Sequence, residues 1–185
     1  MMMGTYVGPE ALNPRSVSRP LQGMTKMAPK ALVVYFSRTK NTGTIAEAVA
    51  KALRCDIEEL VDTTSYKGIG GWLRAGKGAM KELNTRLQPL KADLMTYDLI
   101  IVGTPVWARK MSVPVRAFIT QNKDRLKDVA FFQTMSGELE GNNAFPEMEQ
   151  VLGKRPKATL AVMAADVKKG QYADKVAQFV AALRA

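Results

Sequence analysis

The amino-acid sequence predicts one α/β domain, a three-layer sandwich in which helices cover both faces of a parallel sheet. Its 185 residues are enough for a single domain with a substantial core. From residue 31 onward, short apolar runs alternate with segments of helical periodicity, which is the order expected of strands joined by crossover helices. Several runs are almost continuously apolar, as is typical of strands that are buried on both faces.

Five strands and their helices can be placed along the chain. The strand candidates are Ala31 to Phe36, Asp56 to Leu60, Asp98 to Gly103, Val129 to Gln133 and Thr159 to Met163. Helices are predicted from Thr42 to Leu53, from Ser112 onward, from Asn143 to Leu152, and over a last segment with Tyr172, Val176, Phe179, Val180 and Leu183 on one face. Ser112 is a candidate N-cap, and Gly153 stands where a helix often ends in a left-handed residue.

Two stretches lie outside this pattern. Residues 1–30 are rich in methionine and proline and carry a net charge of +3 (four Lys+Arg, one Glu), so we interpret them as an irregular extension of a domain spanning 31–185. Residues 61–91 are more than the connection between two strands requires, and their apolar residues recur at helical spacing. We therefore predict an inserted helix at about 66–88, in which Trp72 is either a core residue or part of a pocket wall.

The composition excludes several kinds of site. The chain has no histidine, which rules out Ser/His and Cys/His nucleophilic pairs and imidazole metal ligands. Its single cysteine, Cys55, cannot form an intramolecular disulfide and is expected to be a small buried apolar residue in a cytoplasmic protein. No apolar run approaches the ~20 residues that span a bilayer, so we expect no membrane association.

Polar side chains crowd the loop after the first strand. Residues 37–44 read Ser-Arg-Thr-Lys-Asn-Thr-Gly-Thr, although helix entry needs only one capping group, which Asn41 or Thr44 could supply. Spare hydroxyls beside the free N–H groups of a helix start favour a phosphate monoester. The loop matches neither the Walker motif nor the dinucleotide fingerprint.

Three loops together resemble those of the flavodoxin family. The pattern S-x-T-x-N-T at 37–42 is similar to the family's FMN-phosphate loop, and Gly-Thr-Pro-Val-Trp at 103–107 looks like the family's second flavin loop. Residues 134–137 resemble the third. The resemblance covers nearly all of residues 31–185 and implies a flavodoxin-like five-stranded sheet of order 2-1-3-4-5.

This resemblance also implies FMN as the cofactor and assigns its site. The phosphate loop comprises Ser37, Arg38, Thr39, Lys40, Asn41 and Thr42; the residues flanking the ring are Thr104, Pro105, Val106, Trp107 and Ala108; those lining its pyrimidine side are Thr134, Met135, Ser136 and Gly137. Trp107 would stack on the ring or meet its edge. No catalytic side chain and no metal is required, because the flavin supplies the redox chemistry.

Three features depart from the family pattern. Lys40 stands where flavodoxins usually have glycine, so either a left-handed backbone is strained there or the ammonium adds a phosphate contact. The third loop has no tyrosine, which leaves the other ring face open or covered by Trp72, Tyr66 or a partner subunit. The net charge of +10 is also unlike the acidic electron-shuttling flavodoxins.

The positive charge is concentrated near the predicted ring site. Residues 61–91 hold six Lys+Arg against two acids, and residues 104–127 hold six against one. Nucleic-acid binding is the competing explanation, but no DNA- or RNA-binding motif accompanies the charge. We expect instead an acidic redox partner protein or a small anionic or quinone substrate, and a homodimer stays open.

The sequence thus predicts an FMN-binding protein that acts in electron transfer or as a flavin-dependent oxidoreductase. As an enzyme it would be an NAD(P)H-dependent FMN or quinone reductase; as a carrier it would exchange electrons with a protein. The alternative is a non-redox module on the same scaffold that binds a different phosphate ligand or none.

Overall fold

The predicted alternation of strands and helices is present in the computed structural model, which describes residues 29–63, 85–137, 141 and 143–185. The strands are β1 (Ala31–Tyr35), β2 (Asp56–Glu59), β3 (Leu99–Trp107), β4 (Lys110–Met111), β5 (Asp128–Met135) and β6 (Thr159–Met163). The helices are α1 (Asn41–Leu53), α2 (Val113–Asn122), α3 (Phe145–Leu152), α4 (Ala164–Lys169) and α5 (Ala173–Arg184). Short 3-10 turns occupy Leu94–Thr96 and Lys123–Arg125.

The main sheet is parallel, with the strand order β2-β1-β3-β5-β6. The two-residue β4 lies outside this order, because it forms an antiparallel hairpin with β3. Without β4, the remaining strands are the five predicted ones, and their order is the predicted 2-1-3-4-5. Tyr35 is aligned with Gly103, and Pro105 with Thr134. The loops that follow β1, β3 and β5 therefore leave the same edge of the sheet.

Apolar residues on the two faces of the sheet form two separate cores. On one face, Val33 and Ile101 pack with residues of α1 and α5. On the other, Leu32 and Ile100 pack with residues of α2 and α3. The alternation of side chains along each strand places neighbouring residues in opposite cores, and this confirms the predicted three-layer sandwich.

A glycine allows β3 and β5 to pack at the centre of the sheet. A Cβ placed on Gly103 would lie 2.0 Å from Cζ of Phe132, a fully buried ring on the neighbouring strand. Real Cβ atoms do not come this close to another atom, so this position requires the bare backbone of glycine.

Some element boundaries differ from the sequence prediction. β3 continues past Gly103 to Trp107, because β5 and the short β4 provide further partners. α3 begins at Phe145 rather than at the predicted Asn143. Asn143 lies just before the helix, where its side-chain oxygen accepts the N–H of Phe145. α4 was not predicted: Val167 is its one buried residue, so the segment has almost no apolar periodicity.

The predicted insertion helix at 66–88 is wrong at its C-terminal end. Residues 85–88 are not helical, since Leu87 pairs with Asp62 in an antiparallel bridge. The N–H of Thr63 donates to the carbonyl of Arg86 (2.8 Å), and that of Gln88 to the carbonyl of Val61 (2.9 Å). The rest of the insertion, with Tyr66 and Trp72, lies outside the described residues, as does the extension up to residue 28.

Cys55 packs, half-buried, against the core on the α1 side of the sheet. Burial raises the pKa of its thiol to about 11, and the nearby Asp56 carboxylate adds to the effect. At neutral pH this cysteine is therefore a protonated thiol that behaves as a small packing group. Within the described ranges, no helix is long and apolar enough to cross a membrane.

Candidate functional site

The three polar loops predicted from the sequence meet at the carboxyl edge of the parallel sheet. β1 and β3 are neighbours, while β2 lies on one side of this pair and β5 and β6 lie on the other. The strand order therefore reverses between β1 and β3, which is where open α/β sheets bind their ligands. The structure thus brings the three predicted groups, at 37–42, 104–108 and 134–137, to one edge.

The first loop leads directly into α1 and leaves two helix N–H groups free. The N–H of Gly43 donates to the Ser37 hydroxyl (3.1 Å), and the N–H of Thr44 donates to the carbonyl of Lys40 (2.8 Å). Among the described residues, the N–H groups of Asn41 and Thr42 have no acceptor. Such donors, at the positive end of a helix, favour an anion.

The capping residue differs from the sequence prediction. The capping side chain is that of Ser37 rather than Asn41 or Thr44, although the N-cap position itself is Lys40. The loop folds back and brings the Ser37 hydroxyl to the N–H of Gly43, the third residue of α1. The Thr44 hydroxyl instead donates to the carbonyl of Lys40 (3.1 Å). This arrangement depends on the path of the loop, which residue spacing alone does not define.

Lys40 adopts a left-handed backbone conformation, which was one of the two alternatives stated for this position. Its φ is 64° and its ψ is −11°, and it is the N-cap residue of α1 without a side-chain cap bond. A residue with a Cβ is strained in this region. Its side chain is exposed, as are those of Arg38 and Thr39.

The first and third loops are joined by a buried pair of hydroxyls. The Thr42 hydroxyl lies 2.7 Å from the Thr134 hydroxyl, and both residues are buried. One of the two donates to the other, so the hydroxyl that donates can serve only one acceptor at a time. Any phosphate contact made by Thr42 is therefore linked to the conformation at the end of β5.

Thr104 lies inside the protein and ties β3 to the start of α2. Its hydroxyl accepts the N–H of Ser112 (3.0 Å), and it lies 3.1 Å from the Ser112 hydroxyl and 3.0 Å from the carbonyl of Pro105. Ser112 is the N-cap residue of α2, as predicted, although its hydroxyl makes no cap bond. Only the backbone near Thr104, and not its occupied hydroxyl, remains available to a ligand.

Trp107 is held at the end of β3 by a tight hairpin. It pairs with Lys110 across a turn in which Ala108 and Arg109 both have positive φ, 48° and 67°. Two consecutive left-handed residues form the type I′ turn that suits a two-residue hairpin. The Trp107 side chain is half-buried in this hairpin.

Phe36 fixes the ring of Trp107 and was not predicted as a site residue. The two rings meet in a T-shaped arrangement with centroids 5.6 Å apart and planes at 90°. Such edge-to-face pairs are favourable because of the ring quadrupoles. In the sequence, Phe36 is marked by its position, because it ends the first apolar run and directly precedes the polar loop. In the structure it lies just beyond the end of β1.

The third loop begins at the end of β5 and is anchored by a buried glutamine. The side-chain oxygen of Gln133 accepts the N–H of Ala144 (2.9 Å), and its amide nitrogen lies 3.4 Å from the sulfur of Met135. Met135 is buried, whereas Ser136 and Gly137 are exposed, and Gly137 has a φ of 96°. Gln133 thus holds both ends of the loop and could be recognised in the sequence only as a polar residue in an apolar strand.

Much of the positive charge predicted around Trp107 is neutralised. Glu147, whose side chain is 15% exposed, pairs with Arg116 and Lys110 and accepts the N–H of Met111. Arg125 pairs with Asp93 and Lys127 with Asp98. Counting charges along residues 104–127 missed these carboxylates, because they come from distant parts of the chain.

The positive charge that remains at the loop edge comes from Arg38, Lys40 and Arg109. All three side chains are exposed, and none has an ion-pair partner in the described part of the chain. Of the basic residues predicted at 104–127, Arg109 thus stays unpaired at the candidate site, whereas most of the basic residues of the insertion lie outside the described residues.

A cavity of about 520 Å³ lies elsewhere, on the flank of the domain. Its walls include Leu60, Leu94, Phe118 and Arg125, and none of the residues predicted to contact a cofactor lines it. The candidate site is instead formed by the described loops at the carboxyl edge of the sheet.

Comparison with known proteins agrees with this geometry. The family model described as Flavodoxin domain matches residues 73–175, which is more than half of the chain and includes the second and third loops. The chain belongs to the flavodoxin family. A search among curated proteins found no match.

Solved structures of flavodoxin-like proteins share the fold of this flavodoxin-family chain. A flavoprotein from Lactobacillus acidophilus NCFM, crystallised in complex with FMN, is 24% identical and covers 77% of this chain and 98% of its own, with a TM-score of 0.59. A protein from Bacteroides uniformis ATCC 8492 is 22% identical and covers 83% of this chain and 99% of its own, with a TM-score of 0.64. Oxidised Flavodoxin 2 from Bacillus cereus is 19% identical and covers 83% and 97%, with a TM-score of 0.52.

Proposed function

We propose that this flavodoxin-family chain binds FMN at the loop edge and uses it in electron transfer or as a flavin-dependent oxidoreductase. The observation that carries the proposal is the position of two N–H groups of α1, on Asn41 and Thr42, which have no acceptor among the described residues and lie at the same sheet edge as Trp107. A phosphate group and a planar ring are the two ends of FMN. The crystal structure of the Lactobacillus acidophilus flavoprotein with FMN supports this choice.

The chemistry of the first loop fits the phosphate. The free N–H groups would donate to phosphate oxygens, the exposed Thr39 hydroxyl provides a further donor, and Arg38 and Lys40 provide positive charge. No acidic residue lies between positions 37 and 44 to oppose an anion.

The other two loops fit the ring. The half-buried Trp107 provides an aromatic face or edge next to the polar backbone of β3 and of the third loop. A flavin ring has a flat apolar surface and a polar rim, which such a combination can contact. Ser136 and Gly137, which are exposed after the buried Met135, would contact the pyrimidine side of the ring.

In this function the bound flavin supplies the redox chemistry. The protein's own part is to hold the phosphate at α1 and to orient the ring against Trp107. The pairs Thr42–Thr134 and Phe36–Trp107 hold the three loops in one arrangement. Preorganisation of this kind reduces the ordering that binding would otherwise require.

We propose as partner an acidic redox protein or a small anionic or quinone substrate. The support is the exposed positive charge of Arg109, in the hairpin turn next to Trp107, which is not assigned to the phosphate. Opposite charge raises the rate of encounter and makes it depend on salt. If the partner is a protein, electron exchange should slow markedly as ionic strength rises.

Titration of the purified apo-protein with FMN tests the proposal. We expect flavin fluorescence to be quenched with a Kd at or below the micromolar range, and we expect Trp107→Ala and Asn41→Ala each to weaken binding. An apo-protein that binds no FMN at tens of micromolar contradicts the proposal. NAD(P)H oxidation by the loaded protein, with FMN or a quinone as acceptor, then separates a reductase from a carrier.

A further inference from the structure

The two edges of the main sheet differ in how they are protected against further pairing. β2, at one edge, reads Asp-Ile-Glu-Glu, and its Glu58 carboxylate accepts the N–H groups of Lys91 and Ala92 (2.6 and 3.0 Å). β6, at the other edge, reads Thr-Leu-Ala-Val-Met and contains no charge, proline or glycine. Edge strands use charges and prolines to prevent unwanted pairing, so the sequence of β6 leaves it unprotected.

Alternate backbone groups of β6 point away from the sheet. The N–H of Phe131 donates to the carbonyl of Ala158 (3.1 Å), and Phe131 is aligned with Thr159. Leu160 therefore directs its N–H toward β5, whereas Thr159 and Ala161 direct theirs outward. β5 is the one strand that pairs with β6, and Thr159 and Ala161 have no other backbone partner within the described ranges. An added strand could bond to these outward groups.

A groove of about 360 Å³ lies beside this edge. One wall is formed by residues 158–161 of β6 and the residue before it, and the other by Lys175, Gln178, Phe179 and Ala182 of α5. Three of these eight wall residues are alanines, which leave space for the side chains of another segment. Strand addition uses this combination, because the backbone bonds give affinity while pockets beside the edge accept alternate side chains.

Positive charge lies at both ends of β6. Arg155 precedes the strand, and Lys168 and Lys169 end the short helix that follows it; all three are exposed. None of the three has an ion-pair partner in the part of the chain that the structure describes. Two other lysines near the edge are neutralised, in the pairs Lys157–Asp128 and Lys175–Asp166. The exposed Asp174 offsets part of this charge, which stays positive.

This charge distinguishes between possible occupants of the edge. Two copies of the chain that paired antiparallel through β6 would bring Arg155 of one copy toward Lys168 and Lys169 of the other, and like charges oppose such pairing. Residues 1–28 of the chain hold three Lys+Arg against one Glu, so they also carry the unfavourable sign. An extended segment with acidic residues at its ends complements both ends of the strand.

We infer that the β6 edge is a docking site for an extended acidic segment of a partner protein, which adds a strand to the main sheet beside α5. This inference goes beyond the proposed function and does not depend on the cofactor. Met163, at the end of β6, is aligned with Met135, where the third loop begins. A protein docked along β6 is therefore held next to the candidate site.

The test follows amide hydrogen exchange by NMR in the full-length protein. The probe is a synthetic peptide of alternating threonine and valine, with two glutamates at each end. We expect it to slow the exchange of Thr159 and Ala161, whereas Leu160, which already faces β5, should change little. The same peptide with lysines in place of the glutamates should bind about fivefold more weakly at low salt, and high salt should reduce this difference.

Two variants separate the backbone from the charge. Ala161→Pro removes an outward N–H at a position where an edge strand tolerates proline, so the protein should stay folded and its peptide Kd should rise about tenfold. Ala161→Ser keeps the N–H and is the matched control. Reversal of the three exposed charges, in a variant that combines Arg155→Glu, Lys168→Glu and Lys169→Glu, should make the lysine peptide the stronger ligand, and it tests the inference even if Ala161→Pro does not fold.

Slower exchange at Thr159 and Ala161 with the acidic peptide, together with the reversed preference of the charge variant, supports the inference. Three outcomes overturn it: no change in exchange at these two residues, equal binding of the acidic and basic peptides, or unchanged binding by folded Ala161→Pro. Protection of Thr159 and Ala161 in the protein without peptide also overturns it. Protection that rises with protein concentration would indicate a second copy at the edge, and protection independent of concentration would indicate the chain's own residues.

Discussion

The Thr42 hydroxyl, at the start of α1, lies 2.7 Å from the Thr134 hydroxyl, at the end of β5. This buried bond spans two loops that are separated by 92 positions in the chain and joined by no direct strand pairing. It connects the predicted phosphate end of the site with the predicted pyrimidine side.

Replacing Thr134 by valine should destabilise the fold by about 1–2 kcal/mol, because it leaves the buried Thr42 hydroxyl without its partner. Urea unfolding of the apo-protein measures this loss. Thr134→Ser keeps a hydroxyl and serves as the control; it should retain most of the stability. Equal stability of the valine variant and the wild type would show that the hydroxyl pair contributes nothing.

Replacing Gly103 by alanine should destabilise the protein by about 3 kcal/mol or more. The added Cβ would lie 2.0 Å from a fully buried ring atom of Phe132, so a strand or the ring must move within a tightly packed core. The unfolding midpoint of Gly103→Ala checks this. A second substitution, Phe132→Leu, should recover part of the loss in the double variant; if it recovers none, the clash is not the cause.

Replacing Phe36 by leucine should weaken FMN binding about threefold without unfolding the protein. The substitution keeps an apolar side chain but removes the T-shaped contact that orients Trp107, a contact of about 0.5–1.5 kcal/mol. Flavin titration measures the affinity. In a Trp107→Ala background the same substitution should have almost no further effect, and two independent losses would rule out action through Trp107.

The stability of the protein should fall as pH rises from about 10 to about 12, in part because of Tyr97. A hydrogen bond to Asp56, together with burial, raises the pKa of this phenol to about 12 in the folded state. The folded protein therefore keeps the proton over a range in which the unfolded chain loses it, so the stabilisation is complete below pH 10 and is lost as pH approaches 12.

The comparison of Tyr97→Phe with the wild type isolates this effect. The difference in the free energy of unfolding between the two proteins should shrink between pH 10 and 12, because the wild type alone loses the phenol's contribution. A difference that stays constant over this range would show that the Asp56 contact does not depend on the phenol's proton.

The sheet could be predicted from the sequence because its information is local. Runs such as Ala31–Tyr35 are apolar throughout, and the loops that interrupt them are strongly polar. The left-handed backbone at Lys40 was one of two alternatives, because the resemblance places this lysine where the family usually has glycine. The position of the three loops at one edge followed from the parallel topology alone.

The contacts that complete the site could not be predicted in this way. Ser37 caps α1, Thr104 binds Ser112, and Glu147 neutralises Arg116 because the chain brings together residues that have no regular spacing. Charge counts along the sequence failed for the same reason. The two-residue strand β4 and the short helix α4 carry too few apolar residues to show a period.

We propose that this flavodoxin-family chain holds FMN by its phosphate at α1 and by its ring at Trp107. Titration of the apo-protein with FMN and with riboflavin tests this most directly. We expect FMN to bind with a Kd at or below the micromolar range and riboflavin to bind at least tenfold more weakly, because riboflavin lacks the phosphate that accepts charge-assisted bonds from the helix N–H groups. Equal affinity for the two flavins, or no binding of either, would contradict it.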